Sequence, residues 1–209
     1  FYFIRAAKLN NRKAQSILAR YYYKKKSLND KKQGLFYYVE ASNNGDIHGK
    51  FGLGYIYHEG INLKRDISKA IHYYKESSTF NCQYAKNNLG IIYKHGFEKE
   101  IQKNIQYSVQ YFNEAISQKK DYISMYNLAN IYFYDESIKI DEDNLFSLLI
   151  QSVKYSFFYS KLLLCLFLLK KFRFDIDLIE YNLNERNDTY KSLISDISLI
   201  IKLLNLNNI

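Results

Sequence analysis

Residues 49–78 read GKFGLGYIYHEGINLKRDISKAIHYYKESS and contain two helical patterns, at 49–59 and 67–78. A connection that contains Gly60 separates the two patterns, and Asp66 is suited to be the N-cap of the second helix. Gly54 defines position 0 of the repeat. A small residue recurs at this position at intervals of 35, 36, 39 and 36 residues, as Ala19, Gly54, Gly90, Ala129 and Cys165. A period of this length, built from pairs of helices, is typical of a solenoid.

A second small residue stands five positions before the first in every copy. Its copies are Ala14, Gly49, Ala85, Ser124 and Ser160. On a helix that advances about 100° per residue, both small positions share one face with a Leu at position −1 and, in four copies, a Tyr at position +3. Small side chains let a partner helix approach closely, and the Tyr fills the space beside it. Each hairpin leaves apolar area that only the next hairpin covers, so the sequence predicts a stack.

The same register divides the rest of the chain. Residues 1–171 are predicted to be repeats: half a repeat at 1–12, then units that start near 13, 48, 84, 123 and 159, with Asp30 and Asp141 opening second helices. Residues 172–209 are predicted to form C-terminal capping helices, or alternatively a helix that docks onto a partner. Because the chain begins in mid-repeat, we expect it to be part of a larger multidomain protein.

The composition is that of a soluble folded protein. The 209 residues are 47% hydrophobic and 24% charged, and they include no proline but 22 Tyr and 14 Phe, so nothing interrupts long helices. The formal charge of +9 is spread over short lysine runs, which is typical of solvated surface.

The most apolar run, 162–169, is too short to span a bilayer. Cys82 and Cys165 form neither a disulfide framework nor a metal spacing, which favours a reducing compartment and a cytoplasmic location.

These repeated residues resemble Sel1-like repeats, which are relatives of the tetratricopeptide repeat. Five copies of small-x-x-x-Leu-small-x-x-Tyr carry the resemblance, at 14–22, 49–57, 85–93, 124–132 and, with Leu in place of Tyr, 160–168. The 16 residues from Gly54 to Ala70 exceed the corresponding spacing of a tetratricopeptide repeat, and the longer connection favours the Sel1-like family. The pattern departs at Lys25 and Asp135, which replace a glycine, so we expect those two connections to differ from the rest.

The resemblance implies a fold and a class of function. The implied fold is all-α, a right-handed α-solenoid of stacked antiparallel helix hairpins. The implied function is that of a noncatalytic scaffold or adaptor, which binds a protein or peptide partner.

Patterns that carry chemistry are missing from the sequence. We find no Gly-rich phosphate loop, no nucleophile elbow and no metal-ligand spacing, and the four histidines are scattered. We therefore predict no catalytic residue, no metal, no cofactor and no small-molecule substrate.

A candidate binding surface, which we call the first-helix wall, lies on the face opposite the small residues. It consists of positions −6, −3, +1 and +4 of each first helix, which line the concave side if the superhelix curves as in the relatives. The candidate partner-binding residues are Lys13, Arg20, Tyr23, His48, Phe51, Tyr55, His58, Tyr84, Asn87, Lys94, Tyr126, Asn130 and Phe133. Aromatic rings would supply contact area, amides would bond a peptide backbone, and Arg20 and Lys94 would receive a carboxylate. The alternative is that some of these residues are merely solvated or pack on the next repeat.

Two other functions stay open at this point. A basic helical repeat with many Tyr and Asn could bind nucleic acid through backbone contacts and base stacking. The sequon at Asn187 would suit an adaptor in the ER lumen, provided that a signal peptide precedes this segment.

Overall fold

The computed structural model describes residues 1–60, 63–97, 100–117, 121–135, 137–138, 140–153 and 158–171. Within these ranges the chain forms ten α-helices and no strand. The helices are α1 (Tyr2–Lys8), α2 (Arg12–Tyr23), α3 (Leu28–Asn43), α4 (Ile47–Glu59), α5 (Ile67–Ser78), α6 (Gln83–His95), α7 (Ile105–Ile116), α8 (Tyr122–Tyr134), α9 (Glu142–Val153) and α10 (Phe158–Lys171).

The chain divides into two compact units, Phe1–Lys120 with α1 to α7 and Asp121–Ile209 with α8 to α10. In the first unit α2 pairs with α3, α4 with α5 and α6 with α7, and each hairpin packs on the next. In the second unit α8 pairs with α9, and α10 packs on both. The predicted all-helical class, built from stacked hairpins, is confirmed. The predicted C-terminal capping helices, at 172–209, lie outside the described residues.

In two hairpins, α4–α5 and α6–α7, a glycine at the repeated small position makes room for an aromatic ring. A Cβ added to Gly54 would lie 2.6 Å from Cδ1 of Tyr74, and one added to Gly90 would lie 2.6 Å from Cε1 of Phe112. Both rings come from the second helix and are fully buried. A side chain at either glycine would overlap the ring, which is why the small residue recurs.

The other small position serves a different contact. A Cβ added to Gly49 would lie 2.7 Å from the backbone nitrogen of Ser42, on α3 of the preceding repeat. One small residue therefore fits a helix to its own partner, and the other fits it to the hairpin before it. The sequence pattern alone did not separate these two roles.

Three pairs of stacked tyrosines join first and second helices in the first unit. The pairs are Tyr22–Tyr37, Tyr57–Tyr73 and Tyr93–Tyr111, with ring centroids 5.9, 5.8 and 5.7 Å apart and interplanar angles of 9°, 4° and 7°. Each pair includes the Tyr at position +3 of the repeat. This Tyr thus recurs because it meets a second ring across the hairpin.

N-cap residues and residues with positive φ fix the conformation of the long connections between helices. Asp66 caps α5 by accepting a hydrogen bond from the backbone N–H of Lys69 at 2.8 Å, as predicted. Gly60 ends α4 with φ of +69°, a conformation that favours glycine. Where glycine is replaced the connections differ, as expected: α2 ends on Lys24 in the right-handed region, and Asp135 after α8 is extended.

The predicted start of α3 at Asp30 is wrong. The helix begins at Leu28, its N-cap is Ser27, and Asp30 lies in the first turn. An acidic residue in the first turn interacts favourably with the helix dipole, so Asp30 marks the region of the start without being the cap. Asp141, by contrast, lies directly before α9.

Candidate functional site

A groove with a volume of about 590 Å³ opens in the first unit along α2, α4 and α6. It is lined by Arg12, Lys13, Ser16, Ile17, Arg20, Tyr38, Gly45, Asp46, Ile47, His48, Phe51, Phe80 and Tyr84. The lining includes five residues of the first-helix wall, namely Lys13, Arg20, His48, Phe51 and Tyr84. The repeat register therefore brings residues from three first helices to one concave site.

Aromatic rings form one side of the groove. The Phe51 ring lies between the rings of Tyr74 and Tyr84, with centroids 5.8 and 5.9 Å away. Tyr74 is buried in the hairpin core, whereas Tyr84 is 54% exposed and Phe80 is 59% exposed. The exposed Tyr84 ring, which rests on Phe51, offers contact area while losing little side-chain freedom on binding.

Tyr38 closes the groove near Arg20. Its ring lies against Gly52 of α4, where a Cβ would overlap it. Burial raises the pKa of Tyr38 to about 12, although the positive charge of Arg20 acts in the opposite direction. The phenol therefore stays neutral at physiological pH and remains able to donate a hydrogen bond.

The charged rim of the groove is basic. Lys13 and Arg20 are exposed, and neither has an ion-pair partner among the described residues. Arg12 donates to the backbone carbonyl of Gly45 at 3.5 Å. One carboxylate, Asp46, also lines the groove, but it is buried and accepts a hydrogen bond from the backbone N–H at the start of α4 at 2.8 Å. The Asp46 carboxylate therefore stabilises the α4 N-terminus, whereas Lys13 and Arg20 face the groove with no ion-pair partner in the described part of the chain.

Two further wall residues, Tyr23 and Tyr55, form an aromatic cluster with Tyr38. The Tyr23 ring lies 6.0 Å from that of Tyr38 and 6.5 Å from that of Tyr55. The Tyr23 hydroxyl is buried with no hydrogen-bond partner in the described part of the chain, and burial raises its pKa. Tyr55 is 40% exposed and lies at the edge of this cluster.

Three wall residues are more buried than their register suggests. His58 packs between the rings of Tyr74 and Phe97, with centroids 6.1 and 5.9 Å away, and burial lowers its pKa. Asn87 is buried on α6, and Lys94 is half-buried, with its pKa lowered mainly by that burial. These positions pack in the stack, which is the alternative that the sequence left open for individual residues.

The remaining wall residues, Tyr126, Asn130 and Phe133, belong to the second unit. All three lie on α8 and are half-buried. Tyr126 has the ring of Tyr159 at 6.3 Å, and the ammonium of Lys170 lies 5.6 Å from the centre of the Phe133 ring.

Sequence reasoning missed several groove residues because it considered only four positions on first helices. Ile17 and Arg12 lie on α2 at other positions, Tyr38 lies on α3, and Phe80 follows α5. The signal that could have found Phe80 is a large apolar residue in a polar connection, TFNC at 79–82.

In the described part of the chain, no group of three or more His, Cys, Asp or Glu residues is placed to hold a metal ion. None of the helices described there combines the length and the apolar character that crossing a membrane requires.

Comparisons with known proteins agree with the repeat register and the fold. The sequence profile of the Sel1 repeat matches residues 13–46, 47–79, 83–120 and 123–144. A search of curated proteins found no match.

Similar solved structures include two bacterial proteins. One is a protective antigen present in uropathogenic Escherichia coli strains and displaying an SLR fold, with 21% identity and a TM-score of 0.73. The other is a Sel1 repeat protein from Oxalobacter formigenes, with 18% identity and a TM-score of 0.74. The similarity covers 81% of this chain and 36% of the antigen, and 97% of this chain and 77% of the Oxalobacter protein. At these identities the likeness concerns the fold.

Proposed function

Since this chain belongs to the Sel1 repeat family, we propose that it is a noncatalytic adaptor that binds a partner protein through the groove of its first unit. Sel1 repeat proteins typically mediate protein–protein interaction, and the family is generally of the noncatalytic scaffold type. The proposal includes that the partner is a protein and that further domains accompany these repeats in a longer protein.

One observation carries the proposal: exposed rings and unpaired cations meet in a single groove. A concave site of about 590 Å³ is within the usual size of ligand sites. Tyr84 and Phe80 offer aromatic anchors, and Arg20 offers a cation, which are residue types enriched at protein interfaces. A solvated surface without a partner would not need so many exposed rings side by side.

The three wall residues on α8 stay a prediction of the same kind. We propose that Tyr126, Asn130 and Phe133 contribute partner contacts on the second unit. Their substitution should then weaken binding less than substitution in the groove.

We propose a reducing compartment, the cytoplasm, as the location. Cys82 and Cys165 are both free and buried. Burial raises the pKa of the Cys165 thiol to about 12, so this thiol stays protonated and unreactive. Residence in the ER lumen is the alternative if a signal peptide precedes the repeats, and immunolocalisation of the native protein distinguishes the two.

Affinity capture with matched variants tests the adaptor function. The double variant Phe80→Ala with Tyr84→Ala removes two exposed groove rings, whereas Phe36→Ala with Tyr107→Ala removes two equally exposed rings outside the groove. Quantitative mass spectrometry of proteins captured from the cells of origin should show partners lost with the first variant and kept with the second. Equal capture by both variants and the wild type would contradict the proposal.

A further inference from the structure

We infer that the groove receives an acidic peptide segment of the partner, with two carboxylates about 10 Å apart and an apolar side chain beside them. This inference rests on the proposed function and adds the chemistry of the occupant. Three observations carry it: the sign of the charge, the spacing of the cations and the position of the rings.

The groove rim is positively charged, and so is the repeat that surrounds it. Arg12, Lys13 and Arg20 lie on its rim, and the one lining carboxylate is used as a helix cap. Residues 1–46 hold ten Lys or Arg against three Asp or Glu, so the surrounding repeat has the same sign. A field of one sign around a concave site attracts and orients a segment of the opposite sign.

The spacing of the cations sets the spacing of the carboxylates. Lys13 and Arg20 are seven residues apart on α2, which is about two turns and about 10 Å along the axis. Carboxylates seven residues apart on a helical peptide lie on one face and span that distance, whereas residues three apart on an extended peptide point to opposite faces. Arg20 also lies beside the neutral phenol of Tyr38, so a carboxylate there could accept hydrogen bonds from both groups.

The rings define where an apolar side chain would rest. Phe51 forms the packed base, and Tyr84 and Phe80 are exposed beside it. Ile17 on α2 adds aliphatic surface that is 38% exposed. A Phe, Leu or Ile side chain of the peptide would be largely desolvated in this position, which gives the segment its anchor.

A selection from random twelve-residue peptides, displayed and exposed to the full chain, tests the inference. Three targets are compared: the wild type, Lys13→Glu with Arg20→Glu, and the control Lys26→Glu with Lys32→Glu. The control changes the net charge equally, at two exposed lysines outside the groove lining. Circular dichroism and thermal unfolding establish that both variants remain folded.

The wild type should enrich peptides that pair Asp or Glu at the stated spacing with an aromatic or aliphatic residue. Synthetic copies of these peptides should lose about tenfold or more in affinity with the groove variant, and about twofold or less with the control. They should also compete with one another for one site.

Other outcomes would overturn the inference in distinguishable ways. Enriched peptides that need Phe80 and Tyr84 but carry no acidic residue would reject the acidic occupant and leave the adaptor function standing. Failure to enrich any groove-dependent peptide would reject both. Binding of a twelve-nucleotide single-stranded RNA that is lost with Lys13→Glu and Arg20→Glu, in the absence of peptide enrichment, would assign the groove to nucleic acid instead.

Discussion

The two units solve the same packing problem with different residues. In two hairpins of the first unit a glycine on the first helix receives a buried ring from the second, as in Gly90 with Phe112. In the second unit the corresponding positions are Ala129 and Leu149, both fully buried in a cluster made mostly of aliphatic residues. A very small residue with a ring and a small residue with an aliphatic chain fill similar space, so the repeat conserves a combined volume rather than one residue type.

Charge separates the units as well. Phe1–Lys120 holds 21 Lys or Arg and 9 Asp or Glu, a net charge of +12, whereas Asp121–Ile209 holds 9 and 12, a net charge of −3. The modest overall charge of +9 therefore hides a strongly basic first unit. This is the unit that contains the groove, so the sign of its charge matches the acidic segment that we propose as the occupant.

The largest expected effect comes from removing a buried ring. Phe112→Ala should lower the free energy of unfolding of the first unit by about 4 kcal/mol, because it removes a fully buried ring and leaves a cavity beside Gly90. Leu149→Ala should cost the second unit about 3 kcal/mol by the same mechanism. Hydrogen exchange during urea titration reports each unit separately, and a loss below about 1 kcal/mol for Phe112→Ala would contradict the assigned packing.

Replacing a glycine–ring pair of the first unit by the alanine–leucine pair of the second unit tests whether the two arrangements are equivalent. Gly54→Ala alone should destabilise by about 1–3 kcal/mol, because its Cβ overlaps the Tyr74 ring. Adding Tyr74→Leu reproduces the arrangement of the second unit and should recover a large part of that loss. If the double variant is as unstable as the sum of the single ones, the two arrangements do not fill equivalent space.

The stacked tyrosine pairs should make a smaller difference to stability between the two units. Tyr57→Leu removes one ring of a parallel pair and should cost about 0.5–1.5 kcal/mol beyond the lost burial. Tyr132 of the second unit packs against a cluster made mostly of aliphatic residues, such as Leu145 and Leu149, so Tyr132→Leu should cost less. Thermal unfolding measures both, and an equal loss would mean that stacking contributes nothing of its own.

The smallest effect is a pH dependence confined to the first unit. Burial lowers the pKa of His58 below its ordinary value of 6.5, so the unfolded chain binds the proton more readily than the folded chain. Stability should be full above pH 6.5 and should decrease as the pH falls from there through the lowered pKa of the folded state. His58→Gln should reduce this slope, and the part due to His95, whose pKa burial also lowers, should remain. If the slope of stability against pH is unchanged in His58→Gln, His58 is not the cause of the pH dependence.

The fold was accessible from the sequence because its signals are local. The bounds of α4 and α5 match the predicted 49–59 and 67–78 to within two residues, since Gly60 and Asp66 mark the ends by their own conformations. The start of α3 was predicted wrongly because Ser27 and Asp30 are both of a residue type that suits an N-cap, and residue type alone does not decide between them.

The candidate site was only partly accessible. The register identified Lys13, Phe51 and Tyr84 because residues on one helix face stay together in a stack. It could not find Phe80, which lies between helices, nor the packing of His58 against Phe97 of the next repeat. Both depend on how successive hairpins meet, and the periodicity of a single helix carries no information on that contact.

Site-specific photocrosslinking tests the central claim most directly. A photoreactive phenylalanine analogue is placed in the groove at Tyr84, or outside it at Tyr107, in the full chain within its native cells. These two tyrosines are 54% and 52% exposed, so accessibility is matched. We predict that position 84 crosslinks a defined partner protein through an acidic segment, and that position 107 does not. Crosslinking to the same partner with equal yield from both positions, or none from position 84, would contradict the account.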